Sequence, residues 1–304
     1  MRRLVFIINP AAGNGRALKK WEALQKELTG DYQFYLTNYT RHAVELVQAL
    51  DPDIHTLLIA IGGDGTVHEV IEGALNRPCF AIAALSAGSG NDFGRTYTSV
   101  TSKDEIEGLL RLSEQVPMKL GSLQTTTSQY VFVNNAGFGF DAEVVYQTNR
   151  SLWKRRLNHF GLGKLAYYGV VVKELLTFEA ATIELTVDGQ THVLPKAWFL
   201  VVCNQPYFGG GMKISPNSNP ADDMLEVTVV SDISRWKLLL LFGTVFIGWH
   251  TKLQAVKQFS GQSCQFTVSR PMIGHTDGEY CGRLEAGQVA SAHLLSQTWA
   301  MPVK

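Results

Sequence analysis

The chain has few cysteines, and their spacing pairs none of them. Cys79, Cys203, Cys264 and Cys281 are far apart. No CxxC spacing occurs, which excludes a zinc knuckle and a dithiol redox motif. They read as reduced, buried thiols of a cytosolic protein. Neither sign of charge is in excess: Lys plus Arg and Asp plus Glu number 27 each in 304 residues. That balance argues against a general nucleic-acid binder. Long apolar runs are missing. The longest, Leu238–Trp249 (LLLLFGTVFIGW), carries two glycines. It falls short of the roughly 18–20 residues that cross a bilayer as a helix. It reads as a buried helix, or as one set against a second subunit in a homodimer. The start, MRRLVFIINP, lacks a cleavage site and reads as a first strand, not as a signal peptide. The P-loop pattern GxxxxGK[ST] is absent, as is a GxGxxG fingerprint at the first turn. There is no internal repeat, low-complexity tract or long linker.

What is present is ordinary globular composition, 45% apolar and 18% charged. The length suggests two domains. The first 120 residues or so alternate between strand and helix patterns. Strands are expected at Arg3–Asn9, Tyr32–Thr37, Thr56–Ile61 and Pro78–Leu85. Helices are expected at Ala17–Leu28, Ala43–Leu50, Val67–Leu75 and Lys103–Leu112. Continuous apolar strands separated by helices imply a doubly wound parallel sheet covered on both faces. The pattern changes near Leu120. Strands then follow at Tyr130–Asn135, Ala181–Val187, Gln190–Asn204, Leu225–Ser231, Cys264–Ser269 and Val289–Leu295, with an Asp188-Gly189 hairpin signal. This half reads as an antiparallel β-sandwich with two inserted helices, Leu152–Leu176 and Arg235–Phe259.

Three glycine-rich stretches follow predicted parallel strands: Asn9-Pro10-Ala11-Ala12-Gly13-Asn14-Gly15-Arg16, Gly62 to Glu69, and Ser86 to Asp92. Open α/β sheets bind ligands at the carboxyl ends of their strands. Bare backbone N–H groups at a helix start favour phosphate. Each loop by itself could be a plain chain reversal, but three on one edge point to a nucleotide. The carboxylate of Asp64 within such a loop would repel phosphate unless Mg²⁺ stands between them, or unless it accepts hydrogen bonds. Both roles suit phosphoryl transfer. A fourth stretch, Thr276-Asp277-Gly278-Glu279-Tyr280, holds two carboxylates around one glycine. It is either a proton acceptor for an attacking hydroxyl or a plain Asp-Gly hairpin. The paired aspartates in Pro216–Met224 are either a cation-binding turn or a solvated one.

Together these motifs resemble the diacylglycerol kinase catalytic family, in its bacterial soluble lipid-kinase branch. The likeness runs from Asn9-Pro10-Ala11-Ala12-Gly13 through Gly62-Gly63-Asp64-Gly65-Thr66 and Gly88-Ser89-Gly90-Asn91-Asp92-Phe93-Gly94-Arg95. It continues with Asn135-Ala136-Gly137-Phe138-Gly139-Phe140-Asp141 and ends at Asp277-Gly278-Glu279. NAD kinases and 6-phosphofructokinases have turns similar to GGDGT, but GSGNDFGR followed by DGE is specific. The resemblance implies an ATP-dependent, Mg²⁺-requiring lipid kinase with its nucleotide between an N-terminal α/β domain and a C-terminal β-sandwich.

ATP would lie against Asn9, Pro10, Ala11, Ala12, Gly13, Thr37, Gly62, Gly63, Asp64, Gly65, Thr66, His68, Glu69, Gly88, Ser89, Asn91 and Asp92. Glu279 or Asp277 would act as base, with Asp64 organising metal and phosphates. A structural Mg²⁺ would be held by Asp222 and by the carbonyls of Asn219 and Met224. The family's tail returns to the nucleotide domain, so the domains are expected at 1–122 plus about 298–304, and at 123–297.

Three departures stand out: His68 where the family has Asn, Ala221 for a metal-turn aspartate, and Asp223 at a usual glycine. The alternatives are an NAD kinase-like small-molecule kinase or a regulator with an impaired site. A lipid substrate implies a cytoplasmic protein, peripheral at the inner membrane surface. The cation–aromatic stretch Leu152-Trp153-Lys154-Arg155-Arg156-Leu157, with Phe160, Leu162, Lys164, Tyr167 and Tyr168, is the expected contact.

Overall fold

A computed structural model describes residues 2–88, 90–112, 114–150 and 163–303. Ser89 and the cation–aromatic stretch up to Leu162 lie outside the described residues, and the side chains of Lys164, Tyr167 and Tyr168 are likewise not described. The chain divides into two compact units: residues 1–120, 207–211 and 295–304, and residues 121–206 and 212–294.

The first unit is α/β. Its early elements are β1 (Arg3–Ile8), α1 (Ala12–Glu27), β2 (Gln33–Leu36), α2 (His42–Gln48), β3 (Thr56–Gly62) and α3 (Asp64–Gly73). Then come β4 (Phe80–Ser86), α4 (Phe93–Thr96) and α5 (Lys103–Arg111). The strands run β2-β1-β3-β4, all parallel. Every residue of β3 is buried, as a strand covered on both faces requires. Phe6, Trp21, Ile59 and Ile106 belong to one core in this unit. Burying a side chain of that size stabilises by roughly 1.5–3 kcal/mol. The register fixes where the loops emerge. Ile8 lies opposite Ile61, and Gly62 opposite Ser86, so the turns after β1, β3 and β4 leave from one edge.

The second unit takes up β5 (Gln115–Gln124) at Gly121. It continues with β6 (Gln129–Phe132), β7 (Asn135–Gly139), α6 (Phe140–Arg150), α7 (Gly163–Thr177), β8 (Ala181–Val187), β9 (Gln190–Cys203) and β10 (Leu225–Ser231). After α8 (Arg235–Leu241) and two 3₁₀ turns, Phe242–Ile247 and Trp249–Lys252, come β11 (Val256–Gly261), β12 (Ser263–Val268), β13 (Met272–Thr276), β14 (Glu279–Leu284) and β15 (Val289–Pro302). Pairing is antiparallel in the order β14-β13-β7-β9-β8-β12-β15, with β10 between β9 and β11. This is the β-sandwich. Its buried face alternates along β8, whose inward Ile183 and Leu185 join Phe138, Leu200 and Phe266 in a second core. β9 pairs with β8 before Ala197 and with β7 and β10 after it. β15 begins against β12, and its end returns to the first unit, where Ala300 pairs with Ala81.

Two sequence expectations are corrected. Arg235–Phe259 is not one helix. It ends at Leu241, passes through the 3₁₀ turns and becomes β11, with Gly248 in a left-handed conformation (φ 72°) between the turns. Nor is Leu238–Trp249 buried: Leu240 is 81% exposed and Ile247 75%.

Candidate active site

The nucleotide-type loops of the first unit lock together through their backbones. Asn9 follows β1. Its Oδ1 accepts from the Ala11 N–H at 3.1 Å, and its Nδ2 donates to Thr66 Oγ1 at 3.2 Å. Pro10 is half-buried, and Ala12 opens the turn with its N–H on the Asn9 carbonyl. Gly13 is left-handed (φ 62°), and a Cβ there would stand 2.1 Å from the Ala87 carbonyl oxygen. Only glycine lets the first loop approach the third so closely. The Ala87 and Gly88 N–H groups both donate to the Gly62 carbonyl.

Asp64 is the first residue of α3, three residues before the expected start, with Gly63 as its N-cap and Gly65 next in the helix. A carboxylate at a helix start is favoured by the helix dipole. Its Oδ1 accepts from the Phe93 N–H at 3.2 Å, which ties the second loop to the third. Asp92 is buried and takes a different role. It accepts from the Gly210 and Gly211 N–H groups, closest at 2.9 and 2.7 Å. Those glycines follow Tyr207, whose ring lies against the Arg95 guanidinium. This is why residues 207–211 belong to the first unit, an addition that the strand and helix patterns do not reveal. The Gly209-Gly210-Gly211 run is the signal that could have shown it. Asn91 is left-handed (φ 53°).

Thr37 is buried at the end of β2, with its N–H on the Ile8 carbonyl. The Glu69 carboxylate accepts from the Arg41 and Ala43 N–H groups at the start of α2. His68 Nε2 lies 3.9 Å from Glu72.

The second unit carries the carboxylate hairpin. Asp277 (φ 49°) and Gly278 (φ 84°) form the tight turn between β13 and β14. The Asp-Gly hairpin reading is therefore correct for the backbone, and the side chains add to it. The Asp277 carboxylate accepts from three consecutive N–H groups, Val133 at 2.7 Å, Asn134 at 2.8 Å and Asn135 at 3.0 Å. It pins the chain that enters β7. Glu279, two residues on, is exposed.

Beneath the hairpin lies a pair that the sequence reading passed over. His275 Nε2 is 3.0 Å from Asp141 Oδ2, and both side chains are within 5% of full burial. The Gly278 N–H donates to His275 Nδ1 at 3.3 Å. That assigns the ring proton to Nε2, facing the carboxylate. Gly137 leaves room for the pair: a Cβ there would stand 2.2 Å from Asp141 Oδ2 and 2.5 Å from His275 Nε2. The NAGFGFD motif was visible, but the histidine that meets its aspartate stands 134 residues further along the chain.

The expected metal turn closes on itself. Asp222 Oδ1 accepts from the Met224 N–H at 3.1 Å, and the Asn219 carbonyl accepts from the Asp222 N–H at 3.2 Å. Asp223 adopts the left-handed backbone (φ 60°) that the usual glycine would take. Ala221 supplies no second carboxylate beside Asp222 in this turn. Among the described residues no cluster of three or more metal-binding side chains occurs. A cavity of about 560 Å³ in the second unit is lined by Glu143, Glu174, Phe178, Arg270 and Arg283 among others, and includes neither Asp277 nor Glu279. Burial pushes the Cys264 and Cys281 thiols up to about 12, and Cys203 well above its usual range.

A parallel α/β unit with three interlocked glycine-rich turns, followed by an antiparallel sandwich, is the architecture of the diacylglycerol and NAD kinases. A diacylglycerol kinase structure from Bacillus anthracis superposes with a TM-score of 0.69 at 21% identity, over 100% of this chain and 97% of that one. An ATP-bound NAD kinase from Archaeoglobus fulgidus gives 0.52 at 14%, over 100% and 94%. At these identities the likeness is one of fold. Residues 3–123 match the diacylglycerol kinase catalytic domain, and residues 134–295 the YegS C-terminal NAD kinase beta sandwich-like domain. YtlR of Bacillus subtilis is 31% identical, over 93% of this chain and 94% of that protein. A diacylglycerol kinase of Mycobacterium tuberculosis is 24% identical over 93% and 91%, and human sphingosine kinase 1 is 26% identical over 89% and 81%. The chain belongs to the diacylglycerol kinase catalytic family and is a lipid kinase.

Proposed function

We propose that the protein transfers the γ-phosphoryl group of ATP to the hydroxyl of diacylglycerol or a related lipid alcohol, with Glu279 taking the hydroxyl proton. The observation that carries this assignment is the division of labour on the β13–β14 hairpin. Asp277 commits its oxygens to three backbone N–H groups, while Glu279 is open to solvent. A carboxylate base must reach its proton, and Glu279 is the one of the two with that access.

In the reaction, the acceptor oxygen forms a bond to the γ-phosphorus. The β–γ bridging P–O bond breaks, ADP leaves, and the hydroxyl proton passes to Glu279. The turns around Asn9–Gly13, Gly62–Thr66 and Gly88–Asp92 supply backbone N–H groups for the phosphates. Magnesium arriving with the nucleotide would neutralise phosphate charge, and Asp64 is the carboxylate suited to face it. The reading places the enzyme in phospholipid metabolism at the cytoplasmic membrane surface. It is compatible with the described helices, none of which is long and apolar enough to cross a membrane.

The test is transfer of labelled γ-phosphate from ATP to diacylglycerol, sphingosine and other lipid alcohols in mixed micelles, with products read by mass spectrometry. Phosphatidic acid is the expected product. A different lipid phosphate would rename the acceptor. Phosphorylation of NAD with no lipid product would overturn the proposal in favour of a small-molecule kinase.

A further inference from the structure

Five large apolar side chains between residues 236 and 249 face solvent: Trp236 (64% exposed), Leu240 (81%), Phe246 (47%), Ile247 (75%) and Trp249 (45%). They lie on α8 and the two 3₁₀ turns. Trp236 and Leu240 are one helical turn apart and share a face. The segment is held from its other side. Val245 and His250 are buried, the Lys213 N–H donates to the Val245 carbonyl at 3.0 Å, and His250 Nε2 lies 3.0 Å from the Ile214 carbonyl. Arg235 donates to the Phe178 carbonyl at 3.0 Å. The outward apolar face is thus presented by an anchored segment. A patch of this kind on a water-soluble unit marks an interaction surface.

Along the segment itself the charge has one sign. From Ser234 to Thr276 the chain contains no Asp or Glu, but it carries Arg235, Lys237, Lys252, Lys257 and Arg270. Arg235 is engaged with carbonyls and Arg270 with Glu179. Lys237 and Lys252, on the segment itself, are exposed. Such a surface is not self-complementary. A two-fold contact between copies would set lysine near lysine, and interface cores are depleted in lysine. Tryptophan favours the lipid–water boundary, and lysines beside it favour anionic headgroups.

We propose that this face docks on an anionic bilayer, with Trp236, Leu240, Phe246, Ile247 and Trp249 entering the interfacial zone and Lys237 and Lys252 meeting the headgroups. It is a different segment of the chain from residues 152–168. The choice of a bilayer agrees with the proposed lipid acceptor, but the assay contains neither ATP nor acceptor, so either idea can fail alone.

The full chain is sedimented with vesicles of phosphatidylcholine, alone or mixed with equal phosphatidylglycerol. Binding to the mixed vesicles should exceed that to phosphatidylcholine by about tenfold or more. The double variant Leu240→Asp/Ile247→Asp should lose about tenfold or more of it, with an unchanged melting temperature, because both side chains are exposed. A second readout leaves the apolar face intact. Trp21, Trp198 and Trp299 are buried. In a Trp153→Phe background, brominated acyl chains should therefore quench emission that disappears in Trp236→Phe/Trp249→Phe. Wild-type vesicle binding by the aspartate variant would overturn the proposal. So would loss of binding in Lys154→Ala/Arg155→Ala/Arg156→Ala alone. A dimer that the aspartate variant converts to monomer, with vesicle binding unchanged, would give the face to a second copy and overturn it too.

Discussion

His275 and Asp141, 134 residues apart in the chain, meet as a buried pair with 3.0 Å between Nε2 and Oδ2. The same imidazole receives the Gly278 N–H on its other nitrogen, so it links the start of α6 to the hairpin that carries Glu279. The pair positions the hairpin; it is Glu279 that is proposed to touch the substrate. Truncating the imidazole strands a buried carboxylate, and loss of a hydrogen bond to a charged group costs about 1.5–3 kcal/mol. His275→Ala should lose that much stability in urea unfolding. Its kcat should fall while the KM for ATP stays at the wild-type value. Asp141→Asn, which keeps an acceptor, should lose less of both. A His275→Ala enzyme with undiminished kcat would remove the positioning role.

The two hairpin carboxylates should separate cleanly. Asp277→Asn leaves one acceptor oxygen for three N–H groups, so it should melt earlier, by a loss of roughly 1–3 kcal/mol. Glu279→Gln should keep the melting temperature and lose about 10²–10⁴ in kcat, the usual contribution of a general base. Thermal melts and steady-state rates on both variants decide the matter. The reverse pattern would make Asp277 the base.

Asp64→Asn retains an oxygen for the Phe93 N–H, so its fold should persist. What it removes is negative charge at the α3 start. We expect turnover to drop by about 10² or more, the scale set by loss of one electrostatic group at a transition state. Calorimetry of ATP binding with and without Mg²⁺ should show that the metal no longer improves affinity. Wild-type turnover in this variant would refute a metal-facing role.

His250 predicts how stability depends on acid. Burial lowers its pKa below the ordinary histidine value, partly offset by its bond to the Ile214 carbonyl. The folded state then binds fewer protons than the unfolded state between the depressed value and about 6.5. Stability is greatest above that range and falls as pH drops through it. Melting temperature should decline from neutral pH toward pH 5, and His250→Gln should flatten this part of the profile. An unchanged slope in the variant would assign the acid sensitivity to other groups.

The parallel β1, β3 and β4 strands and their helices were legible in the sequence because apolar continuity and helical spacing are local. β11, β13 and β14 were not read as strands. In β11, Lys257 and Gln258 interrupt the apolar pattern, and β13 and β14 are short and rich in glycine and polar residues. The helix expected over Arg235–Phe259 failed for a related reason. Leucine-rich spacing persists through it, but the left-handed Gly248 and the pairing of Val256–Gly261 with β10 override that spacing.

The same boundary divides the site. Sequence alone determined that three glycine turns follow three parallel strands, that Asp64 sits in one of them, and that Asp277 and Glu279 flank a turn glycine. Those facts need only neighbouring residues and the rules of strand, turn and helix start. Tertiary structure alone decided which donors meet each carboxylate. Asp277 is met by N–H groups about 143 residues earlier in the chain, Asp92 by glycines about 118 later, and Asp141 by a histidine on β13. A carboxylate's role is set by which donors surround it. Those donors come from strands that only the fold brings together.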